Sequence, residues 1–174
     1  MDWRTEEDTQ AFAARLAAHP AIGNAFIELH GDLGAGKTTF ARHLLRALGV
    51  QGRITSPSFS VVEAYQVAWP QHLTKKTASD ASTTVNAAPA SELSNKLCIW
   101  HFDFYRFNDP REWEDAGLRD LFASVGLKLA EWPAQAGALL PPADLMIQID
   151  LQADGETRTV TATAASPTGM ELIA

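Results

Sequence analysis

The run 31-GDLGAGKTT-39 fits the spacing G-x-x-x-x-G-K-[ST] through Gly31, Gly36, Lys37 and Thr38. Those residue types suit phosphate capture. Small residues let the backbone curl so that successive N–H groups point at phosphate oxygens, and a following helix adds the positive end of its dipole. In such a loop the lysine bridges the β- and γ-phosphates of a nucleotide and the next hydroxyl faces Mg²⁺. Lys37 and Thr38 hold those positions. The context agrees, because apolar 25-AFIELH-30 leads into the glycines as a buried strand. From Lys37 the pattern KTTFARHLLRAL then places Phe40, Leu44, Leu45 and Leu48 on one helical face, and Gly49 stops it.

A phosphate loop also needs an acid to hold the metal or orient water, best placed at the end of a neighbouring buried strand. Two acids fit: Asp103 ends the apolar run LCIWHF, and Glu131 ends LKLA. His101 alternates with Asp103 on one strand face, either hydrogen-bonded near the site or as a buried structural histidine. Arg106 reads as a structural ion-pair partner of Asp103 or Glu114 in preference to a charge-stabilising finger.

These residues must be positioned by regular elements. Thr5 ahead of Glu6, Glu7 and Asp8 predicts a helix start with a capping box, and Phe12 and Leu16 give that helix a buried stripe. A strand, 61-VVEAYQV-67, precedes residues 70–96, where 13 of 27 residues are Ala, Ser or Thr. Such a segment buries too little apolar surface to offset its ordering entropy, so it reads as a flexible insertion between two strands. The second of those is 97-LCIWHFDFY-105. Asp109, Pro110 and Glu112 predict a helix running to about Phe122. The strand LKLAEW stops at Pro133, 139-LLPPA-143 reads as a loop, and 145-LMIQIDL-151 with 157-TRTVTATA-164 forms a hairpin around Asp154-Gly155. Trp69, Trp100 and Trp113 read as packing residues, and Cys98 as a buried small hydrophobe.

The whole chain bounds the function further. Its 174 residues suit one domain, 1–174. The net charge of −7 argues against a free-standing nucleic-acid binder. The charge is uneven: residues 1–68 hold 6 basic and 7 acidic side chains, and residues 101–174 hold 5 and 12. A lone cysteine gives no sign of an oxidising compartment, and no run is long or apolar enough for a membrane span or a signal peptide. A cytoplasmic protein without membrane contact is expected.

GDLGAGKTT, then 56-SPSFSVVEAY-65, then 101-HFDFYR-106 with 109-DP, then 131-EWP-133 occur in an order and spacing similar to the TsaE (YjeE) family. These are small P-loop ATPases of bacterial tRNA threonylcarbamoyladenosine (t6A) synthesis, and the resemblance runs from about Thr5 to Val160, skipping the insertion. It implies that ATP is held by Gly31, Asp32, Leu33, Gly34, Ala35, Gly36, Lys37, Thr38 and Thr39, and that Thr38 and Glu131 place Mg²⁺. It gives Asp103 a part in turnover and places Ser58 near the γ-phosphate. It also sets Trp132 beside the base, together with Glu6 and Thr9. The family usually reads S-P-T-[FY] where this chain has Ser56-Pro57-Ser58-Phe59, which keeps the hydroxyl and loses the methyl that stiffens its rotamer.

The fold class implied is α/β: a P-loop NTPase-like, mixed, largely parallel sheet with helices on both faces and a C-terminal antiparallel hairpin. The function implied is Mg²⁺-dependent ATP hydrolysis serving t6A modification of adenosine 37, with a TsaB–TsaD complex holding the tRNA and this subunit touching it only indirectly. One rival is a small-molecule P-loop kinase, but the insertion lacks the arginines of a catalytic lid. The other is a nucleotide-sensing adaptor with negligible hydrolysis.

Overall fold

The computed structural model describes residues 1–57, 60–69 and 95–174. Thr5 accepts the Asp8 N–H at 3.3 Å while the Asp8 carboxylate accepts the Thr5 N–H at 3.0 Å. This reciprocal box starts α1 (Glu6–Ala17), and Phe12 and Leu16 are buried as their spacing predicts. Strand β2 (Phe26–His30) leads through the glycine loop into α2 (Lys37–Ala47). Phe40, Leu44 and Leu45 of α2 are fully buried, each contributing about 1.5–3 kcal/mol.

The sheet has seven strands in the order β1-β7-β6-β2-β5-β4-β3. β3 spans Val62–Ala68, β4 Lys96–Asp103, β5 Leu127–Glu131, β6 Leu145–Leu151 and β7 Arg158–Ala164, with a two-residue β1 (Asp2–Trp3) at one edge. The four central strands β6, β2, β5 and β4 are mutually parallel, and the outer pairings are antiparallel. The mixed, largely parallel α/β architecture is therefore as expected. Parallel neighbours bring the carboxyl ends of β2, β5 and β4 to one side, where the glycine loop, Glu131 and Asp103 meet.

One sheet face carries α1 and α2, with Ile27, Leu29, Leu129, Ile147 and Ile149 in a shared core. The other is covered over β4 and β5 by an aromatic cluster of Phe102, Phe104, Phe107 and Trp113, with Trp100 and Phe122 packed against it. Phe102 stacks on Phe122 with ring centroids 4.6 Å apart.

Some expectations need correction. The helix from Pro110 does not run unbroken to Phe122. It splits into α3 (Pro110–Asp115) and α4 (Leu118–Ala123). Gly117 takes the left-handed conformation (φ 62°) between them and ends α3 with its N–H on the Glu114 carbonyl at 3.0 Å. Cys98 is half-buried, because Leu97 and Ile99 take the core positions and the pleat turns Cys98 to the other side. Within 139–143, Leu139 closes a 3₁₀ turn, Gly137–Leu139, that follows the short α5 (Pro133–Ala136). The chain also ends in α6 (Pro167–Ile173), capped by Ser166, which the sequence reading did not anticipate. Residues 70–94 of the expected insertion lie outside the described residues. Lys96 belongs to β4, and the flanking strands pair so that the Trp69 N–H donates to the Asn95 carbonyl at 2.7 Å.

Candidate functional site

The loop after β2 is held open by glycine. Gly31, Gly34 and Gly36 have φ of 133°, 82° and 114°, values that L side chains rarely adopt. At Gly31 a Cβ would also collide with the Ile149 carbonyl of β6. Gly36 caps α2 without any side-chain hydrogen bond, which leaves the first-turn N–H groups facing the loop. Lys37 is 4% exposed. Its Nζ donates to the carbonyls of Gly31 at 2.6 Å and Asp32 at 2.8 Å and lies 3.7 Å from the Trp132 ring centroid. Burial pushes the ammonium below the ordinary lysine range, while Glu131, Asp103 and Asp32 oppose that shift.

The two strand-end acids are neighbours, since parallel pairing sets Asp103 opposite Glu131. Both are buried. Thr38 Oγ1 donates to Glu131 Oε2 at 2.7 Å, and His101 Nε2 lies 2.9 Å from Glu131 Oε1. Asp103 accepts the Ser56 hydroxyl on Oδ2 and the Tyr105 N–H on Oδ1 at 2.9 Å. Its own N–H donates to the Val61 carbonyl at 2.9 Å, from a residue with left-handed backbone (φ 63°). The segment entering β3 is thus tied to Asp103 at Ser56 and at Val61.

Thr38 and Glu131 supply oxygen donors, the ligand type Mg²⁺ prefers. No three His, Cys, Asp or Glu side chains converge on a metal position among the described residues. A hydroxyl, one carboxylate and phosphate oxygens form the kind of set that suits Mg²⁺, which keeps several waters and takes few protein ligands. The residues present fit that ion.

Two hollows flank the loop. A groove of about 170 Å³ holds Leu33, Gly34, Lys37, Thr38, Glu131 and Trp132. A cavity of about 380 Å³ holds Glu6, Thr9, Trp3, Arg4 and Arg158, and Gly36 and Thr39 line both. Trp132 therefore lines the smaller hollow, and Glu6 and Thr9 the larger. Gly31, Asp32 and Ala35 shape the loop between them. Ser58 lies outside the described residues.

Three contacts lay beyond local pattern. His101 was read with two alternatives, and it is fully buried against Glu131. Ser56 stood in a quoted block, but nothing local places it beside an acid 47 residues later. Arg158, from a Thr-rich strand, lays its Nε 3.4 Å from the Ala35 carbonyl at the cavity wall. Arg106 is exposed in the turn after β4.

Residues 3–160 match the family model of the threonylcarbamoyl adenosine biosynthesis protein TsaE. The chain belongs to the TsaE family. Among TsaE proteins, that of Haemophilus influenzae is 36% identical over 128 residues, which are 74% of this chain and 64% of the relative, so the match spans under two thirds of that protein. The Bacillus subtilis TsaE is 32% identical over 166 residues, 94% of this chain and 85% of the relative. The crystal structure of Bacillus subtilis YdiB is similar with a TM-score of 0.65 and 27% identity, covering 99% of this chain and 90% of that one. TsaE membership ties the chain to threonylcarbamoyladenosine biosynthesis. No described helix is long and apolar enough to cross a membrane.

Proposed function

We propose that this TsaE-family chain is a Mg²⁺-dependent ATP hydrolase that serves t6A formation on tRNA together with a TsaB–TsaD complex. The observation that carries this reading is the 2.7 Å bond from Thr38 to Glu131 at the mouth of the glycine loop, with Asp103 paired beside Glu131. A phosphate cradle, a hydroxyl–carboxylate pair and a second buried acid are the parts that phosphoryl transfer to water requires.

The loop amides from Gly31 to Thr39 and the first turn of α2 bind the phosphates. Lys37 leaves its loop carbonyls and donates to the β- and γ-oxygens. Thr38 and Glu131 hold Mg²⁺, which when bound supplies neutralisation of charge on those oxygens. Asp103, fixed on Oδ1 by the Tyr105 N–H, orients the attacking water, and Ser56 on Oδ2 links that acid to the segment containing Ser58. Glu6 and Thr9 form one wall of the cavity for the nucleoside, and Trp132 lines the adjoining groove.

The acidic balance supports a division of labour in which the partners hold the tRNA. The acid-rich residues 101–174 suit a basic partner surface, and association should weaken as salt rises. The test is phosphate release by the chain alone and with a TsaB–TsaD pair. Stimulated release is expected. No release under either condition would leave a nucleotide-sensing adaptor, and transfer to a small acceptor would make the chain a kinase.

A further inference from the structure

His101 lies on β4 between β3 and β5 with no exposed surface, and among the described residues its ring makes one polar contact, to Glu131. β4 and β5 run parallel with His101 opposite Leu129 and Asp103 opposite Glu131. His101 and Glu131 are therefore diagonal neighbours on one face of the sheet. A carboxylate offers only acceptors, so Nε2 carries the proton in that 2.9 Å contact. Nδ1 meets no polar partner among the described residues and is buried. Among the described residues the ring's hydrogen bond goes to Glu131 alone.

The two oxygens of Glu131 are thus divided. Oε1 is taken from behind by His101, and Oε2 faces Thr38 at 2.7 Å. Without the first bond the carboxylate keeps the Thr38 contact but loses the second point that fixes its last torsion, which is broad. We propose that His101 is a positioning residue that fixes the Glu131 carboxylate so that one defined oxygen is presented beside the Thr38 hydroxyl to the metal. This inference rests on the reading that Thr38 and Glu131 hold Mg²⁺. Hydrogen bonds of this kind to a metal-binding carboxylate typically change metal affinity by about 10–100-fold.

The test compares His101→Gln, which keeps a donor near the Nε2 position, with His101→Asn, which does not reach it. A fluorescent non-hydrolysable ATP analogue is titrated in EDTA and at graded Mg²⁺. All three proteins should bind it alike in EDTA. The Mg²⁺ needed for half-maximal tightening should stay within about threefold of wild type in H101Q and rise roughly 10–100-fold in H101N. An H101N response equal to wild type overturns the proposal. So does equal impairment of both variants, which would mark His101 as a space-filling core residue. A wild-type chain whose nucleotide affinity ignores Mg²⁺ would instead overturn the underlying metal reading. Imidazole ¹⁵N spectra of the unaltered chain stand beside the variants. The Nε2-protonated resonance should move when Mg²⁺ joins bound nucleotide, and an unmoved resonance counts against the proposal even where H101N does not fold.

Discussion

Replacing Lys37 by alanine tests the phosphate-loop reading most directly, because the lysine is already hydrogen-bonded before any nucleotide arrives. Its two bonds to the Gly31 and Asp32 carbonyls have one charged partner each, and binding replaces them with bonds to ionised phosphate. A hydrogen bond to a charged group is worth about 1.5–3 kcal/mol and a neutral one about 1 kcal/mol, and ionising both partners adds further strength. The exchange then gains on the order of 1–1.5 kcal/mol per bond, or roughly 2–3 kcal/mol for two. At about 1.4 kcal/mol per tenfold, Lys37→Ala should weaken ATP binding roughly 30–150-fold. AMP lacks the β- and γ-phosphates and should lose less than about threefold by the same reasoning. Isothermal titration of both nucleotides against both proteins decides it. An ATP loss below threefold, or an AMP loss as large as that of ATP, would refute the assignment of Lys37.

Gly31→Ala places a Cβ against the Ile149 carbonyl at a backbone φ of 133°, so urea unfolding should show a loss of about 3 kcal/mol or more. Asp103→Asn should keep ATP affinity within about threefold while partner-stimulated phosphate release falls roughly 100-fold or more. Wild-type release by that variant would remove Asp103 from the mechanism. Lys128 is buried beside the Trp100 ring, and burial lowers its pKa with partial opposition from Asp144. The unfolded chain therefore holds that proton more tightly, and the penalty is relieved as pH rises through the lowered value toward the ordinary value of about 10.4. Paired urea melts should show wild type gaining stability on Lys128→Met across that alkaline window. A constant difference would count against the buried-cation argument.

What the sequence made legible was local. Thr5 and Asp8 are three residues apart, so their box could be read without knowing the fold, and the same holds for the loop from Gly31 to Thr38. Asp103 and Glu131 were visible because each ends an apolar run. That they lie side by side was not, because it depends on the register between β4 and β5. The contact of Thr38 with Glu131 spans 93 residues, and that of His101 with Glu131 spans 30. β1 escaped notice because two residues carry no period. Gly117 is read through in the sequence because a single glycine inside a helical pattern is tolerated at a cost of about 1 kcal/mol. Placing Trp132 with Glu6 and Thr9 followed from resemblance alone; the structure sets them in two hollows that share Gly36 and Thr39.

Trp132 has one more consequence. It is a non-glycine residue at φ 57° directly after Glu131, so the turn into α5 fixes where its ring can point. Left-handed backbone costs an ordinary side chain about 1–2 kcal/mol, and only glycine escapes that charge. The usual hierarchy of conservative replacement is therefore inverted at this site: alanine keeps the strain and discards the indole, while glycine discards both. The indole held by this left-handed turn lies over the loop ammonium, Lys37 Nζ being 3.7 Å from the ring centroid, so a replacement at position 132 alters the backbone of the turn and the cover of Lys37 together.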